Sequence, residues 1–229
     1  MSRFTRLEVL DRILRTGLVP VLSGQGAEVA TKVAQAVAAG GATTLEYTNR
    51  GDGALDVLRD LLRYCDRELP DLAVGVGSVS DAATAAACLN MGAAFVVGHV
   101  VDTDTARVCN RRKVAYMPGC GSATEIAYAE ELGCEIVKVF PGDSVGGPGF
   151  VRSVLGPSPW SSLMPTGGVD ASEESLGEWF GAGVVAVGIG SKLISKDLVD
   201  REDWEGLSVT VRDTLETIAR HNPARQEAR

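Results

Sequence analysis

The sequence predicts an α/β fold, a single (β/α)8 or TIM barrel with an additional N-terminal helix. Short apolar or β-branched runs recur eight times, each closed by Gly, Pro, Thr or Ser and followed by a longer Ala-rich or amphipathic stretch. This alternation is typical of βα units with a parallel sheet, and eight units suit a closed barrel. No linker divides the 229 residues, so residues 1–229 are predicted to form one domain.

The predicted strands are the eight short runs, each rich in apolar or β-branched residues and each ended by a turn residue. In chain order they are Leu18 to Leu22, Thr43 to Thr48, Leu72 to Val76, Ala94 to Gly98, Val114 to Met117, Glu135 to Phe140, Leu163 to Pro165 and Val184 to Val187.

The stretches between these runs are predicted to be helices, and several begin near a capping residue such as Ser80, Thr103, Ser122 or Ser172. A helix over about 4–15 precedes the barrel of about 18–195, a helix over about 203–220 follows it, and the tail 222–229 is expected to be disordered. The helices between strands are Ala27 to Ala39, Gly53 to Glu68, Ser80 to Asn90, Thr103 to Arg111, Ala123 to Leu132, Pro148 to Leu155 and Ser172 to Ala182.

The rival architecture is an open doubly wound sheet that binds a dinucleotide. Its spaced glycine triplet is missing, because Gly75-Val-Gly77 and Gly188-Ile-Gly190 each lack the third glycine, and there is no P-loop. We expect Gly75 and Gly77 to serve a tight turn, which glycine allows without steric cost. The barrel is therefore favoured.

Composition narrows the functional class. The chain has 30 acidic and 22 basic residues and a formal charge of -8, which argues against general binding to nucleic acid or to anionic membranes. An anionic ligand therefore needs a local positive site. The N-terminus lacks the apolar segment of a signal peptide, and no stretch approaches a membrane span, so a cytoplasmic enzyme or binding protein is expected.

The five cysteines are widely spaced and form no C-x-x-C pair, and only His99 and His221 could complete a metal site. We therefore expect reduced thiols in the core, no metal site and no cofactor. The cysteines are Cys65, Cys88, Cys109, Cys120 and Cys134.

Lys138 is the most unusual residue of the predicted barrel, because it lies alone in an apolar run. In a strand, Val137 and Val139 point to one face, and Ile136 and Lys138 point to the other, into the interior. A lysine that gives up its charge on burial is a neutral amine, which can attack a carbonyl. Lys138 is therefore a candidate Schiff-base nucleophile. The alternative is a strand-end lysine whose head reaches solvent.

Polar residues that point inward near the strand ends are the next candidates, since barrel active sites are built there. Alternation in the second run puts Thr44, Glu46 and Thr48 inside. The Glu46 carboxylate could hold the Lys138 amine and move protons, or it could form a structural ion pair with Lys138 or Arg50. Arg50 could bind a carboxylate with its planar fork, or it could be an ordinary surface arginine.

Glycine-rich turns close the seventh and eighth runs. Turns at these two places form the common phosphate site of barrels, in which backbone N–H groups and a hydroxyl surround the anion. The candidate donors are Gly167, Gly168, Gly190 and Ser191. The alternative is that the two turns merely need glycine.

His99 follows the fourth run and is a minor candidate. An imidazole at a strand end could act as an acid, a base or a substrate contact, although a lone histidine is more often structural.

Six motifs follow one another along the chain between about Leu18 and Leu193. They are Gly40 to Arg50, Val74 to Val79, Met117 to Gly119, Val137 to Pro141, Pro165 to Val169 and Gly188 to Ser191. In these motifs and their order the sequence resembles the class I aldolases that act on 2-keto-3-deoxy-6-phosphogluconate (KDPG) and, in many members, on 4-hydroxy-2-oxoglutarate (KHG).

The resemblance implies a role for each matched residue. Lys138 matches the Schiff-base lysine, and Glu46 matches the general acid/base. Arg50 and Ser78 match the groups that hold the pyruvyl carboxylate. The residues that match the phosphate site are Gly167, Gly168 and Ser191.

The chain also departs from the family pattern at three places. Ser78 stands where many members have Thr, Gly98-His99 where the fourth strand commonly ends in Ser-Pro, and Ser122-Ala123 where a Thr-Pro is common. His99 changes the pocket wall near the substrate, so the choice of hydroxy-keto acid stays open.

The activity implied by the resemblance is cleavage of KDPG to pyruvate and glyceraldehyde 3-phosphate, with KHG as a second substrate that gives pyruvate and glyoxylate. Lys138 forms the iminium, and Glu46 takes the C4 hydroxyl proton through a water molecule. A place in the Entner–Doudoroff pathway and a homotrimer are also implied. Two alternatives stay open, a phosphosugar isomerase or epimerase barrel without a covalent step and a non-catalytic phosphosugar-binding barrel.

Overall fold

The computed structural model describes residues 2–222, over which strands and helices alternate after an opening helix. The strands are β1 (Leu18–Leu22), β2 (Thr44–Thr48), β3 (Ala73–Val79), β4 (Phe95–Gly98), β5 (Ala115–Met117), β6 (Gly119–Cys120), β7 (Val137–Val139), β8 (Leu163–Pro165) and β9 (Val187–Ile189). The helices are α1 (Arg6–Thr16), α2 (Ala27–Ala39), α3 (Ala54–Glu68), α4 (Ala82–Met91), α5 (Thr103–Arg112), α6 (Ala123–Glu131), α7 (Gly147–Leu155), α8 (Glu173–Gly181), α9 (Lys196–Asp200) and α10 (Trp204–His221).

Every strand pairing within residues 2–222 is parallel, which confirms the predicted α/β fold. Six strands form one curled sheet in the order β5-β4-β3-β2-β1-β9, and three form a second in the order β6-β7-β8. Helices separate nearly all consecutive strands, because parallel strands can be joined only by a crossover connection.

Two seams separate the sheets, so the pairing does not run continuously around eight strands as predicted. At one seam the chain passes from β5, which ends with the predicted fifth run at Met117, into the short strand β6, which was not predicted. Pro118 lies between the two strands and has no N–H to donate. At the other seam, β8 and β9 form no continuous ladder. The described residues there are connected by the isolated bridge between Thr166 and Gly188 and by a hydrogen bond from Val185 N–H to Leu163 O at 3.0 Å. The paired architecture is thus two parallel sheets that meet at these positions.

Helix α1 closes the end of the interior where the strands begin. Its start is fixed by a capping box in which the Thr5 side chain accepts from the Glu8 backbone N–H and the Glu8 side chain accepts from Thr5. Val9, Leu10 and Ile13 are buried in a cluster with apolar residues near the beginnings of the strands. That end is therefore filled by hydrocarbon.

The two faces of each strand follow the predicted alternation. Ile136 lies in the inner cluster with α1, whereas Val137 and Val139 lie in the outer cluster that the helices cover. On β2, Leu45 and Tyr47 face outward in the same way, which leaves the other residues of that strand inside. The inward parity predicted for the sixth run is confirmed.

Gly75 and Gly77 lie inside β3 and not in a turn, so the predicted use of these glycines was wrong. Each leaves room for a large side chain of a neighbouring strand. A Cβ at Gly75 would overlap the Phe95 ring, and one at Gly77 would overlap the Glu46 carboxylate. Small residues here allow inward side chains to fill the interior without strain.

The boundaries of the last strand differ from the predicted ones. The run that begins at Val184 is apolar throughout, but its ladder with β1 begins only at Val187 and continues to Ile189. The short helix α9 was not predicted. An apolar run does not itself mark where pairing starts.

The C-terminal helix α10 packs against α2 and α8. Its last turn is tied to α8, because Glu173 accepts from Arg220 and lies 2.7 Å from His221 Nε2. Asn222 is buried, and the rest of the predicted tail 222–229 lies outside the described residues. Over residues 2–222, no helix combines the length and apolar character needed to cross a bilayer.

Candidate active site

Lys138 lies at the centre of β7 on the inward face. Gly119 and Met164 are its register partners on either side, and its backbone N–H donates to the Pro118 carbonyl at 3.0 Å. The residue is only 4% exposed, and its Nζ lies 4.9 Å from the centre of the Phe140 ring. This burial contradicts the alternative in which the ammonium group of Lys138 reaches solvent. The Phe140 ring covers one side of the amine.

Glu46 lies on the inward face of β2, between β1 and β3. It is 1% exposed, its Oε1 fills the space above Gly77, and its Oε2 has no hydrogen-bond partner within residues 2–222. In the same range, no ion pair within 4.0 Å joins Glu46 to Lys138 or Arg50. The carboxylate is thus not held by the structural ion pair considered as its alternative role.

Arg50 and Ser78 are brought together at the ends of β2 and β3. Arg50 is exposed, and its Nε donates to Ser78 Oγ at 2.9 Å. Ser78 has a φ of 58°, and the register between β3 and β4 shifts between Val76 and Val79. A bulge of this kind re-aims a side chain, here toward the arginine. Because this hydrogen bond uses only Nε, the two terminal NH2 groups of Arg50 stay available at the rim of the site, where the strands end.

The turn after β8 is joined to the turn after β7. Gly142 N–H donates to Thr166 O at 2.9 Å, and Asp143 N–H donates to Gly167 O at 3.1 Å. Gly167 and Gly168 have φ of 86° and 77°, a region that favours glycine, and a Cβ at Gly168 would overlap Asp143. Both glycines are therefore needed for this backbone path.

The turn after β9 is a compact one. The N–H groups of Leu193 and Ile194 both donate to Gly190 O at 2.9 Å, and Ser191 is exposed on the turn. The bridge between β8 and β9 puts this turn beside that of Gly167. The four predicted anion donors thus lie at neighbouring strand ends.

His99 follows β4 directly and its side chain is exposed. Gly98 is the register partner of Val79, so His99 lies beside the strand end that carries Ser78. Its carbonyl oxygen would lie 2.6 Å from a Cβ at Gly119, the residue paired with Lys138. His99 therefore lies on the rim between Ser78 and Lys138.

The five cysteines are free and buried, as predicted. Burial raises the pKa of Cys88 to about 11 and the pKa of each of the other four thiols to about 12. Thiols with pKa values this high are poor nucleophiles at neutral pH. Within residues 2–222, no group of three or more His, Cys, Asp or Glu side chains is placed to hold a metal ion.

Three residues of this region received no role from the sequence. Phe140 lies on the same face as Lys138, and the alternation of the sixth run could have predicted that position. Thr48 and Thr166 each have a buried hydroxyl oxygen without a hydrogen-bond partner in the described range. Alternation placed Thr48 inside, but a sequence pattern does not reveal which buried hydroxyl lacks a partner.

Comparisons with known proteins agree on one family. The family model described as "Aldolase: KDPG and KHG aldolase" matches residues 9–210. The chain is 35% identical over 221 residues to a 2-dehydro-3-deoxy-phosphogluconate aldolase of Pseudomonas aeruginosa, with 96% of each protein covered. It is 27% identical over 208 residues to a KHG/KDPG aldolase of Escherichia coli, with 90% of this chain and 94% of the relative covered.

The fold is also that of solved structures. A KDPG aldolase of Legionella pneumophila, solved with pyruvate captured as a covalent carbinolamine intermediate, superposes with a TM-score of 0.80 at 23% identity. The alignment covers 89% of this chain and 96% of that protein. Because the family model and a relative above 30% identity each span nearly all of the sequence, the chain belongs to the KDPG and KHG aldolase family.

Proposed function

We propose that this chain is a class I aldolase, a carbon–carbon lyase that cleaves KDPG to pyruvate and glyceraldehyde 3-phosphate. The observation that carries the proposal is Lys138, a buried inward lysine on the strand whose motif resembles the Schiff-base strand of the family. Relatives named as 2-dehydro-3-deoxy-phosphogluconate aldolases support the reaction. The isomerase, epimerase and non-catalytic alternatives have no such support.

Lys138 is proposed as the nucleophile. Its neutral amine attacks the C2 ketone to give a carbinolamine, and loss of water gives an iminium that draws electrons from the C3–C4 bond. The support is its 4% exposure, together with the Phe140 ring that shields one side of the amine. This burial limits the access of water, which slows premature hydrolysis of the iminium.

Glu46 is proposed as the general base and then the general acid. It takes the proton of the C4 hydroxyl while the C3–C4 bond breaks, which releases the aldehyde and leaves an enamine on Lys138. Protonated Glu46 then gives a proton to C3 of the enamine, and hydrolysis of the resulting iminium releases pyruvate and frees the amine. The support is that its Oε2 has no hydrogen-bond partner within residues 2–222, which leaves this oxygen available to the substrate.

Arg50 and Ser78 are proposed to hold the C1 carboxylate of the substrate. Their mutual hydrogen bond at 2.9 Å orients the guanidinium, and its remaining N–H groups match the two oxygens of a carboxylate. In a chain of net charge -8 this arginine supplies a local attraction for an anion.

Gly167, Gly168, Gly190 and Ser191 are proposed to bind the phosphate at the other end of the substrate. The support is their position on neighbouring turns and the positive φ of two of them, which leaves backbone N–H groups uncovered by side chains. KHG lacks this phosphate, and the relative named KHG/KDPG aldolase supports it as a second substrate.

His99 is proposed to line the pyruvyl side of the site. Its position between Ser78 and Lys138 puts it nearer to C1 and C2 than to the phosphate turns. An imidazole there can donate a hydrogen bond to the carboxylate or to the C2 oxygen.

We also infer that the eight predicted runs close into one (β/α)8 barrel and that residues 1–229 form one domain. The Thr166–Gly188 bridge spans one seam, and Pro118 connects β5 directly to β6 at the other. The family resemblance further suggests a homotrimer, a cytoplasmic location and a place in the Entner–Doudoroff pathway.

Borohydride reduction in the presence of pyruvate tests the covalent step. The expected result is a reduced adduct on the peptide that contains Lys138, no adduct in Lys138→Met, and an unchanged adduct in the control Lys192→Met. An adduct on Lys192 with Lys138 unmodified would contradict the assignment. Comparing cleavage of KDPG with that of KHG by the same protein then shows whether the phosphate is required.

A further inference from the structure

Two buried polar atoms share the inward face of β2 near the nucleophile. Thr48 is 0% exposed, and its Oγ1 has no hydrogen-bond partner among residues 2–222. Glu46 lies two residues earlier on the same face, and its Oε2 is likewise buried without a hydrogen-bond partner in that range. Buried polar atoms without partners are rare and costly, so a pair of them in one place requires an explanation.

The two groups lie at the same level of the interior. Thr48 is the register partner of Gly77 across the β2–β3 ladder. The Glu46 side chain reaches forward along its strand, and its Oε1 occupies the space where a Gly77 Cβ would lie. Neighbouring strands are about 5 Å apart, so the carboxylate and the Thr48 hydroxyl flank a common space. No hydrogen bond within residues 2–222 joins them directly.

Thr44 provides an internal comparison. It lies on the same face of the same strand and is also fully buried, but its Oγ1 donates to Leu18 O at 3.1 Å. A hydroxyl on this face can therefore be satisfied by a backbone carbonyl. The Thr48 hydroxyl has no such carbonyl partner in the described range. Its position also differs from that of the Thr44 hydroxyl, because it lies beside the Glu46 carboxylate, toward the end of the strand.

We propose that Thr48 Oγ1 and Glu46 Oε2 together hold the water molecule that relays the proton between Glu46 and the substrate. This inference rests on the proposed aldolase function and adds a positioning residue to it. Two buried oxygens that face a common space and do not bond each other directly can share one water molecule, since each water needs two to four polar partners.

The relay conserves protons in both directions. During cleavage the C4 hydroxyl gives its proton to the water, the water gives a proton to Glu46, and the C3–C4 electrons pass into the enamine. During product formation Glu46 returns a proton through the water to C3. Thr48 accepts or donates one hydrogen bond of that water and keeps its own proton throughout.

Deuterium exchange at the methyl group of pyruvate measures this relay without the cleavage step. The enzyme in D2O exchanges C3 protons through the iminium and enamine, and NMR follows the loss of the methyl signal. We expect Thr48→Val, an isosteric change, to slow exchange by roughly 10-fold to 100-fold, because one hydrogen bond in a charged relay is lost. Thr48→Ser keeps the hydroxyl and should exchange within about threefold of the unsubstituted protein.

Borohydride trapping on the same samples separates relay from binding. Thr48→Val should form the Lys138 adduct at the same pyruvate concentration as the unsubstituted protein. Thr44→Val is the matched control, since it removes a satisfied hydroxyl from the same face and should leave exchange unchanged. Unchanged exchange in Thr48→Val, or equal losses of exchange and adduct, would overturn the proposal.

A crystal structure of the pyruvate adduct gives an independent answer if Thr48→Val does not fold. We expect one ordered water within hydrogen-bond distance of both Thr48 Oγ1 and Glu46 Oε2. A direct bond between the two side chains, or different protein partners for each, would refute the shared water. If the unsubstituted protein forms no adduct and exchanges no protons, the proposed aldolase function fails, and not merely the role of Thr48.

Discussion

The two ends of the interior have the same inward alternation but opposite chemistry. Where the strands begin, Val9, Leu10 and Ile13 of α1 fill the interior with hydrocarbon. Toward the strand ends, the same faces present Glu46 and Lys138, both buried. Burial of apolar groups stabilises a fold, whereas buried polar groups without partners reduce stability. The comparison predicts that stability resides at the helix-closed end and chemistry at the open end.

The largest effect is expected at the open end, from Glu46→Gln. The change preserves shape but removes the base, so cleavage of KDPG should fall by about 10²-fold to 10⁴-fold while the Lys138 adduct still forms. Pyruvate release in a coupled assay and borohydride trapping measure the two quantities. The free energy of unfolding should stay the same or rise, because a buried unpaired carboxylate is replaced. Unchanged turnover would rule out the acid/base role.

The next effect is expected at the closed end, from Ile13→Ala. Ile13 is fully buried in the inner cluster, so its truncation should lower the free energy of unfolding by about 2–5 kcal/mol through lost burial and a cavity. Turnover of the folded enzyme should not change. Urea unfolding followed by circular dichroism measures the loss.

Leu14→Ala is the matched control for this change, since Leu14 is the next residue of α1 and is 40% exposed. Leu14→Ala should lower the free energy of unfolding by no more than about 1 kcal/mol. A similar loss from both substitutions, or slower turnover in folded Ile13→Ala, would break the division between the two ends.

The smallest effect is expected on the rim, from His99→Ala. Loss of one hydrogen bond to the pyruvyl group should raise the KM for pyruvate in the exchange reaction by roughly twofold to tenfold. His99→Asn keeps a hydrogen-bond donor, so its KM for pyruvate should lie between those of the unsubstituted protein and His99→Ala. Steady-state exchange rates at several pyruvate concentrations provide the KM values. Equal values for all three proteins would mean that His99 does not contact the pyruvyl group.

The sequence was sufficient to predict which faces point inward. Period-two alternation placed Lys138, Glu46 and Thr48 inside, because strand geometry fixes side-chain direction regardless of context. The motif order then predicted the family, which the comparisons confirmed.

Other features depend on contacts between residues distant in the sequence. The role of Gly77 is decided by the Glu46 side chain of a neighbouring strand, and the seam at Pro118 is decided by which carbonyls and N–H groups meet across the sheet. The missing partner of the Thr48 hydroxyl is another such property. A local pattern shows that Pro118 lacks an N–H, but it does not show which neighbouring strand needs that donor. It carries no information about the other two features.

The buried thiols give the protein an internal reporter of its own opening. All five lie in the segment that runs from α3 to the start of β7. Each is buried, and burial raises the pKa of each thiol, so none reacts readily while the fold is intact. A maleimide or disulfide reagent therefore modifies this chain only through molecules in which the middle of the sequence has transiently unfolded. The labelling rate would measure how often that part of the protein opens under native conditions, without any engineered probe.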